Sequence, residues 1–422
     1  MIEKNDIIDY LHNDFTDPVR DPVWGNIYLS PLMRRLIQTK DFAKLGRIRQ
    51  LGPAVHVYPG ATHTRYNHSL GVCHMARKLI LRIVEHPECP ALTLTGVKSF
   101  LNAALLHDLG HFPYTHSLKE LPLIDHEELS GNIILEGEIG EIIREDQNMS
   151  LTMTAAIVDH GLHIEPEEWE TQFYRSLLSG VLDPDKLDYL NRDAFFCGVP
   201  YGMQDTDFVL SQIIPTKEGI SLSEKGTLAV ENILFSKYLM YKAVYWHRDV
   251  RISTALVKKA LYLALEQGEL TGEELYGLTD DEFRLRVSQL SPMLERLIER
   301  SEKPLTYKAV VEKDFDKSNP VHLSLENLES RTAFEKELAE KLQSEGWDIH
   351  PEEIVADVPE KISFEVELPI RIEGEATPFT SMETLFSTGA AENLPGVLRK
   401  VRILLPEEKS QGAIEKIISQ MI

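Results

Sequence analysis

Apolar side chains recur at intervals of three and four residues along most of the chain between about residues 31 and 265. This spacing puts the apolar groups on one face of a helix and the polar groups on the other. A single α-helical domain accounts for all of the segments that follow this pattern. They are residues 70–84, 97–108, 126–135, 151–159, 173–181, 185–196 and 231–265.

Strand-like patterns are few in this region and become more frequent beyond about residue 300. Period-two alternation and β-branched content indicate strands in short apolar stretches, and the last residues have the spacing of an amphipathic helix. We therefore predict a mainly α protein, with a helical core that carries small β-hairpins and a C-terminal α+β domain. The strand candidates are residues 55–58, the hairpin-like 220–230, 305–311, 362–368 and 401–405, and the final helix covers 410–422.

These patterns divide the chain into three parts. Residues 1–30 are expected to form an N-terminal extended segment, which leads into a helix that Ser30 and Pro31 open. Residues 31–300 are expected to form the helical domain. Residues 301–422 form the predicted α+β domain, in which no metal-binding or nucleophilic pattern stands out, so a role in oligomerisation or regulation is expected there.

Composition indicates a globular protein. With 422 residues, of which 43% are hydrophobic, the chain can bury a sizeable core. Its apolar runs are much shorter than the roughly 18 residues that a membrane span needs, and the first residues are too charged for a signal peptide, so we expect a cytoplasmic protein without membrane contacts. Its cysteines, Cys73, Cys89 and Cys197, share no CxxC spacing, so neither a disulfide framework nor a thiolate zinc site is predicted.

The charge balance limits the class of partner. The chain has 44 basic and 67 acidic residues, a formal net charge of −23. Such a surface repels a polyanion, so nucleic acid is not the expected partner. A small anionic substrate remains compatible with this charge, because a local cluster of cations can dominate inside a cleft.

The candidate chemistry begins with His68, the adjacent pair His107 and Asp108, and Asp185. Imidazole nitrogens and carboxylate oxygens are ligands for Mn, Fe, Ni, Zn or Mg, so these four residues suit one divalent metal. Taken alone, an adjacent His–Asp pair such as His107 and Asp108 is common, and hydrogen bonding within a core explains it more often than a metal does.

Further polar residues surround these candidates. His111 and His116 follow His107 closely, and His126 opens another helix, so the three histidines are candidate general acids. Arg65 stands three residues before His68 and has the planar donor set that suits phosphate. After Asp183, a predicted N-cap, one helix face carries Asp185, Tyr189 and Asp193, with Lys186 beside it. A solvated acidic helix face is the alternative for this last group.

In order, these residues resemble the H…HD…D signature of the HD phosphohydrolase superfamily. Flanking segments are similar to its deoxynucleoside triphosphate triphosphohydrolase branch over residues 20 to 265. They are residues 49–52, 58–63, 65–72, 107–116 and 183–193.

The resemblance implies a role for each matching residue. It implies one divalent metal held by His68, His107, Asp108 and Asp185, with room for a second. It implies triphosphate contacts from Arg65 and Lys186, sugar contacts from Gln50 and Leu51, and proton transfer by one of the three histidines. Tyr189, Asp193 and Tyr245 would complete the sugar pocket. The implied reaction is attack of water on the α-phosphorus of a dNTP, with release of deoxynucleoside and triphosphate, by an enzyme that assembles as a homodimer or tetramer.

The chain departs from the family pattern at three positions. Trp24 stands where the opening motif usually has histidine, Lys119 occupies a position that is often acidic, and Lys237 replaces an arginine. These departures leave the identity of the general acid and the preference for a triphosphate open. The alternatives are a phosphatase or phosphodiesterase of another nucleotide, and a nucleotide or metal sensor without catalytic activity.

Overall fold

The computed structural model describes residues 2–165, 168–302, 306–364, 366–382, 384–386, 396–410 and 412–422. Over this part the protein is mainly helical with small sheets, which confirms the predicted fold class. No helix in these ranges is long and apolar enough to cross a membrane.

The first thirty residues are not one extended segment, so that expectation is wrong. Helix α1 comes first, and a β-hairpin follows it. Oδ1 of Asp21 accepts hydrogen bonds from the backbone N–H groups of Val23 and Trp24, both 2.9 Å long, which closes the hairpin turn. The next helix begins as predicted, because Oγ of Ser30 accepts from the N–H of Met33. The bounds are α1 Ile2–Asn13, β1 Asp17–Asp21, β2 Gly25–Leu29 and α2 Pro31–Leu36.

Helix α4 is central to the fold. It packs between α5 and α10, and most of its residues are buried. The helices up to α11 surround it and form one hydrophobic cluster. They are α3 Lys40–Ala43, α4 Arg65–Glu85, α5 Leu94–Leu106, α6 His126–Leu135, α7 Gly137–Arg144, α8 Leu151–Val158, α9 Trp169–Leu178, α10 Pro184–Cys197 and α11 Thr206–Ser211.

The helical pattern over residues 231–265 belongs to two helices rather than one. A π-helical turn over Tyr241–Tyr245 separates them and turns the side chain of Tyr245 toward Asp193. The second helix anchors another hydrophobic cluster with the two helices that follow it. The bounds are α12 Thr227–Met240, α13 Arg248–Glu266, α14 Asp280–Val287 and α15 Pro292–Glu299.

Two strand predictions in the helical region need correction. Residues 55–58 are not a strand, because Gly52 and Pro53 begin a short 3₁₀ turn over Gly52–His56. The predicted hairpin is shifted toward the N-terminus: β3 Ile213–Pro215 pairs antiparallel with β4 Ile220–Ser223, and the following residues turn into α12.

The C-terminal part contains the α+β elements that the sequence predicts at 305–311, 401–405 and 410–422, of which Leu305 and Gln411 lie outside the described residues. Strand β9 lies between β5 and β6, and two helices pack on this sheet. The division at residue 300 stays a prediction. The bounds are β5 Tyr307–Asp314, α16 Pro320–Ser324, α17 Leu328–Ser344, β6 Val355–Asp357, β9 Lys400–Pro406 and α18 Gly412–Met421.

The strand predicted over residues 362–368 is also wrong for the residues described. Glu365 lies outside the described residues, and the others belong to no strand. Phe364 and Leu368 are buried in the large helical cluster instead. Strands β7 Pro369–Ile372 and β8 Glu375–Pro378 follow, and β7 pairs in parallel with β4, so this stretch packs on the helical body.

Candidate active site

The four predicted metal ligands converge. His68 lies in α4, His107 and Asp108 follow α5, and Asp185 is in the first turn of α10. Oδ1 of Asp185 is 2.8 Å from Nε2 of His68 and 3.8 Å from Nε2 of His107. Oδ1 of Asp108 is 3.3 Å from the same nitrogen of His107. Ligand atoms that each lie ~2.1 Å from one metal ion are separated by roughly these distances.

Both imidazoles are oriented with Nε2 toward the other ligands. Nδ1 of His68 is 2.8 Å from Oδ2 of Asp188, and Nδ1 of His107 is 3.0 Å from the carbonyl oxygen of Ala104. A proton on each Nδ1 leaves the Nε2 lone pair for a metal. Nε2 of His107 is buried and has no hydrogen-bond partner among the described residues, although such atoms are normally satisfied. The donor set therefore fits a divalent metal, which when bound would activate a water molecule and neutralise phosphate charge.

A buried ionic network behind His68 was not predicted from the sequence. Asp188 accepts from Nε and Nη2 of Arg192 at 2.8 and 2.9 Å, and from the indole N–H of Trp24 at 2.5 Å. Nη1 of Arg192 donates to Asp21 at 2.8 Å. Gly71 makes room for the pair, because a Cβ there would lie 1.8 Å from Asp188. The i, i+4 spacing of Asp188 and Arg192 was the available sequence signal.

Metal uptake is expected to release a proton from His68. Burial opposes protonation, but the carboxylates of Asp185 and Asp188 raise the pKa of His68 from 6.5 to about 10. The charged ring therefore stabilises the metal-free fold fully below pH 6.5, and this contribution is lost as the pH rises through about 10. A metal takes only the neutral ring.

Calorimetric titration of metal at pH 7, in buffers that differ in ionisation enthalpy, is expected to show about one proton released per ion. Binding enthalpies that do not depend on the buffer would contradict a protonated His68.

The three remaining histidines form a second group beside the first. Nitrogens of His111, His116 and His126 lie within 4.8 Å of one another. Nε2 of His111 is 3.2 Å from Nε2 of His116, and its ring centroid is 4.2 Å from that of His126. Burial and Arg65 hold the pKa of His111 well below its usual range. Helix α6 approaches closely at Gly110, where a Cβ would lie 2.2 Å from the carbonyl oxygen of His126.

A cleft of about 560 Å³ opens over both groups. This lies within the range of roughly 300–1,000 Å³ that small-molecule sites occupy. Every predicted site residue except His111 lines it, and His111 is buried beneath. The side chains of Gln50, Leu51 and Tyr245 are partly exposed in its wall.

One wall is organised for recognition of a polar ligand. Oε1 of Gln50 is buried and finds no hydrogen-bond partner in the described part of the chain. The backbone N–H of Gln50 donates to the carbonyl oxygen of His63 at 3.0 Å. Asp193 is fully engaged, because Oδ1 is 2.8 Å from Nε2 of His63 and Oδ2 accepts from the Tyr245 hydroxyl at 2.7 Å. Asp193 therefore positions Tyr245, which stands with Tyr189 in the cleft.

Two predicted phosphate ligands already have protein partners. Nη1 of Arg65 is 2.8 Å from Oδ2 of Asp108, and Arg65 is buried. The ammonium of Lys186 donates to Asp183 at 2.6 Å and to the carbonyl oxygen of Gly180 at 2.9 Å. Asp183 also accepts from the backbone of Lys186, which confirms it as the N-cap of α10. Contacts from Arg65 and Lys186 to phosphate stay a prediction.

The departures from the family pattern have different surroundings. Lys119 lines the cleft, and no carboxylate of a described residue lies within 4.0 Å of its ammonium. Glu120 does not take the place of the missing acid, because it faces Lys258 at 2.6 Å and Arg331 at 3.3 Å. Lys237 is buried and donates to the carbonyl oxygen of Ser363 at 2.9 Å.

Comparison with known families agrees with this geometry. The HD domain model matches residues 65–172, which contain His68, His107 and Asp108. The chain belongs to the HD-domain superfamily. A second model, the HD associated region, matches residues 205–390, so the family assignment extends well beyond the predicted ligands.

Relatives of this HD protein are known from several organisms. An uncharacterised Bacillus subtilis protein, YwfO, is 33% identical over 58% of this chain and 55% of its own length. The Dictyostelium discoideum protein named as a deoxynucleoside triphosphate triphosphohydrolase SAMHD1 homolog is 26% identical over 70% of this chain and 59% of its own length. The chain thus spans little more than half the length of these relatives, and it resembles the dNTPase branch.

A solved structure shows the same fold. A phosphohydrolase from Bacteroides thetaiotaomicron superposes with a TM-score of 0.70 at 21% identity, over 92% of this chain and 99% of its own. At this identity the comparison establishes the fold of the HD protein, in both the helical part and the C-terminal part.

Proposed function

We propose that this HD protein is a metal-dependent phosphohydrolase that converts deoxynucleoside triphosphates to deoxynucleosides and triphosphate. The observation that carries the proposal is the convergence of His68, His107, Asp108 and Asp185 beneath a nucleotide-sized cleft. The family models and the relatives named as triphosphohydrolases support the same reaction class.

The chain's own residues have distinct tasks in this reaction. The four ligands would hold the metal at the scissile phosphate. Arg65, held by Asp108, places positive charge beside it and stabilises charge that develops on phosphate oxygens. Gln50 would bind the sugar 3′-hydroxyl through Oε1, which has no hydrogen-bond partner among the described residues, and Leu51 would occupy the space that a 2′-hydroxyl needs.

Product analysis tests this proposal. Purified protein is incubated with each dNTP, each NTP, and mono- and cyclic nucleotides, with Mn²⁺ or Mg²⁺, singly and in dNTP mixtures, and products are separated by anion exchange. Deoxynucleoside plus intact triphosphate is the expected result. Orthophosphate or monophosphate products would overturn it.

A second candidate is a two-metal phosphodiesterase or phosphatase of another nucleotide. The observation that favours it is the group of His111, His116 and His126, whose nitrogens are close enough to share an ion. Two metal ions per chain by elemental analysis, with phosphomonoester products, would select this candidate.

Leu51→Gly is expected to relax discrimination against ribonucleotides. Removing the side chain opens space beside the sugar, so the ratio of kcat/KM for dGTP over GTP should fall about tenfold or more, within the range that pocket contacts of this size give. The matched control is Ile157→Ala, because Ile157 is another apolar residue of the cleft. An unchanged ratio in Leu51→Gly would remove Leu51 from the sugar pocket.

A further inference from the structure

The C-terminal part of the chain forms one section of the cleft wall. Glu360, Lys361 and Ile362 line the same cavity as the predicted metal ligands, and they follow strand β6 closely. The sequence indicates no binding site there, and it predicts a role in oligomerisation or regulation. In the structure, this part completes the cavity in which the proposed reaction would take place.

Two buried cations hold the backbone on either side of these residues. The carbonyl oxygen of Pro359 accepts from Nε and Nη2 of Arg399 at 2.9 and 2.7 Å. The carbonyl oxygen of Ser363 accepts from the ammonium of Lys237 in α12 at 2.9 Å, and that ammonium lies 5.4 Å from the ring centroid of the buried Phe364. Residues 359–363 are therefore a wall that is already in place before a ligand binds, which lowers the entropic cost of binding.

The carboxylate of Glu360 is oriented but has an oxygen to spare. Its Oε2 lies 3.4 Å from Nη1 of Arg251, whose Nη2 is 2.5 Å from Oδ1 of Asp357, so the charge of this arginine is already matched. Among the described residues, Oε1 of Glu360 has no hydrogen-bond partner, and 31% of the side chain is exposed. The cleft wall therefore offers an anionic acceptor to a ligand.

The surroundings of Glu360 suit a heterocyclic base better than a phosphate. Ile362 adds an apolar surface beside the carboxylate. The ammonium of Lys361 is 2.9 Å from Glu326, and 74% of its side chain is exposed. A phosphate would meet the like charge of Glu360 here, which is unfavourable. A base combines an apolar face with N–H donors, and both find a partner.

The residues proposed for the sugar lead to this wall from two directions. Gln50 comes just before the 3₁₀ turn Gly52–His56, which packs on α13, and Tyr245 comes just before α13 itself. Arg251, the partner of Glu360, lies in the first turn of this helix. The predicted metal ligands belong to α4, α10 and the residues after α5. A nucleotide with its phosphates at those ligands and its sugar at this wall would extend its base toward Glu360.

We propose that residues 359–363 are the wall against which the nucleobase lies and that Glu360 is a specificity-determining residue that favours guanine. The inference rests on the proposed function. A carboxylate only accepts hydrogen bonds, and guanine presents its ring N–H and its amino group side by side. Thymine has one N–H between two carbonyl oxygens, which a carboxylate repels. The protein should therefore prefer dGTP to dTTP.

The variant Glu360→Gln tests the role of the carboxylate. Glutamine has nearly the same shape, but it lacks the charge and adds an N–H donor that a thymine carbonyl can accept. We expect the ratio of kcat/KM for dGTP over dTTP to fall about tenfold. The change should appear mainly in KM, because residues 359–363 contact none of the predicted metal ligands among the hydrogen bonds described.

Glu312→Gln is the matched control. Glu312 is a partly exposed carboxylate of the same part of the chain, pairs with Arg402 at 2.7 Å and does not line the cleft. The ratio for dGTP over dTTP should stay at the wild-type value in this variant. An unchanged ratio in Glu360→Gln, or an equal fall in both variants, would overturn the role of Glu360.

A measurement without turnover keeps this inference separate from the proposed function. Backbone hydrogen exchange is followed in the metal-free wild type with deoxyguanosine, thymidine or inorganic triphosphate. Deoxyguanosine should slow exchange in residues 360–364 more than thymidine does, and triphosphate should leave it unchanged. Protection by triphosphate, or none by deoxyguanosine, would overturn the base-binding wall. If the wild type hydrolyses no dNTP, the proposed function fails, while this experiment still decides whether the segment binds a base.

Discussion

Replacing Asp185 by alanine is expected to remove the bound metal and to lower turnover by about 1,000-fold or more. Its Oδ1 lies within 4 Å of Nε2 of both ligand histidines, so it joins α10 to the ligands of α4 and α5. Without it the remaining donors hold an ion weakly, and the water loses its activation. A 1,000-fold loss corresponds to about 4 kcal/mol of transition-state stabilisation.

Elemental analysis and product release, measured on the same preparation, check this expectation. Asp207→Ala is the matched control, since Asp207 is an exposed carboxylate on a neighbouring helix that pairs only with Lys78 among the contacts described. Metal content and turnover should stay normal in the control. Retained metal with unchanged turnover in Asp185→Ala would show that the ion lies elsewhere.

Replacing Asp188 by alanine is expected to have the largest effect on stability. The guanidinium of Arg192 is fully buried, and Asp188 accepts two of the three hydrogen bonds that it donates within the described part of the chain. Removing one partner of such a pair leaves an uncompensated charge and typically costs about 3–5 kcal/mol. His68 also loses the carboxylate that orients its ring, so metal affinity should fall by about 10- to 100-fold.

Urea unfolding of the metal-free protein measures the loss of stability in Asp188→Ala without the contribution of bound metal. Glu145→Ala is the control, because its pair with Arg35 is exposed and screened by solvent, so its loss should leave the unfolding transition almost unchanged. Competition with a metal chelator measures the fall in metal affinity. A stability loss below about 1 kcal/mol in Asp188→Ala would mean that the Arg192 network does not stabilise the fold.

The cleft carries both signs of charge in a chain whose formal charge is −23. Arg65 and Lys186 line it, but each is paired with a carboxylate of the cleft, Asp108 and Asp183. A divalent metal held by the predicted ligands would add the positive charge that a phosphate chain needs. The lining is therefore compatible with the proposed small nucleotide substrate.

The helices were predictable because their signals are local. The spacing of apolar groups and the caps at Ser30 and Asp183 act within one or two turns, and the structure shows both caps. The strand predictions at 55–58 and 362–368 failed because apolar patterns of this length also occur in tight turns and in irregular segments that pack on a core. Gly52 and Pro53 impose a tight turn on the first, and the second places Phe364 and Leu368 into the helical core.

By itself, the sequence determined the set of candidate ligands, because residue type decides which groups can bind a metal or carry a proton. The tertiary structure decided where each group points. It placed Asp188 behind His68 and turned Glu120 toward Arg331, while it left Lys119 in the cleft. These orientations follow from the packing of helices distant in sequence, and hydrogen bonds between such helices have no periodic signal along the chain.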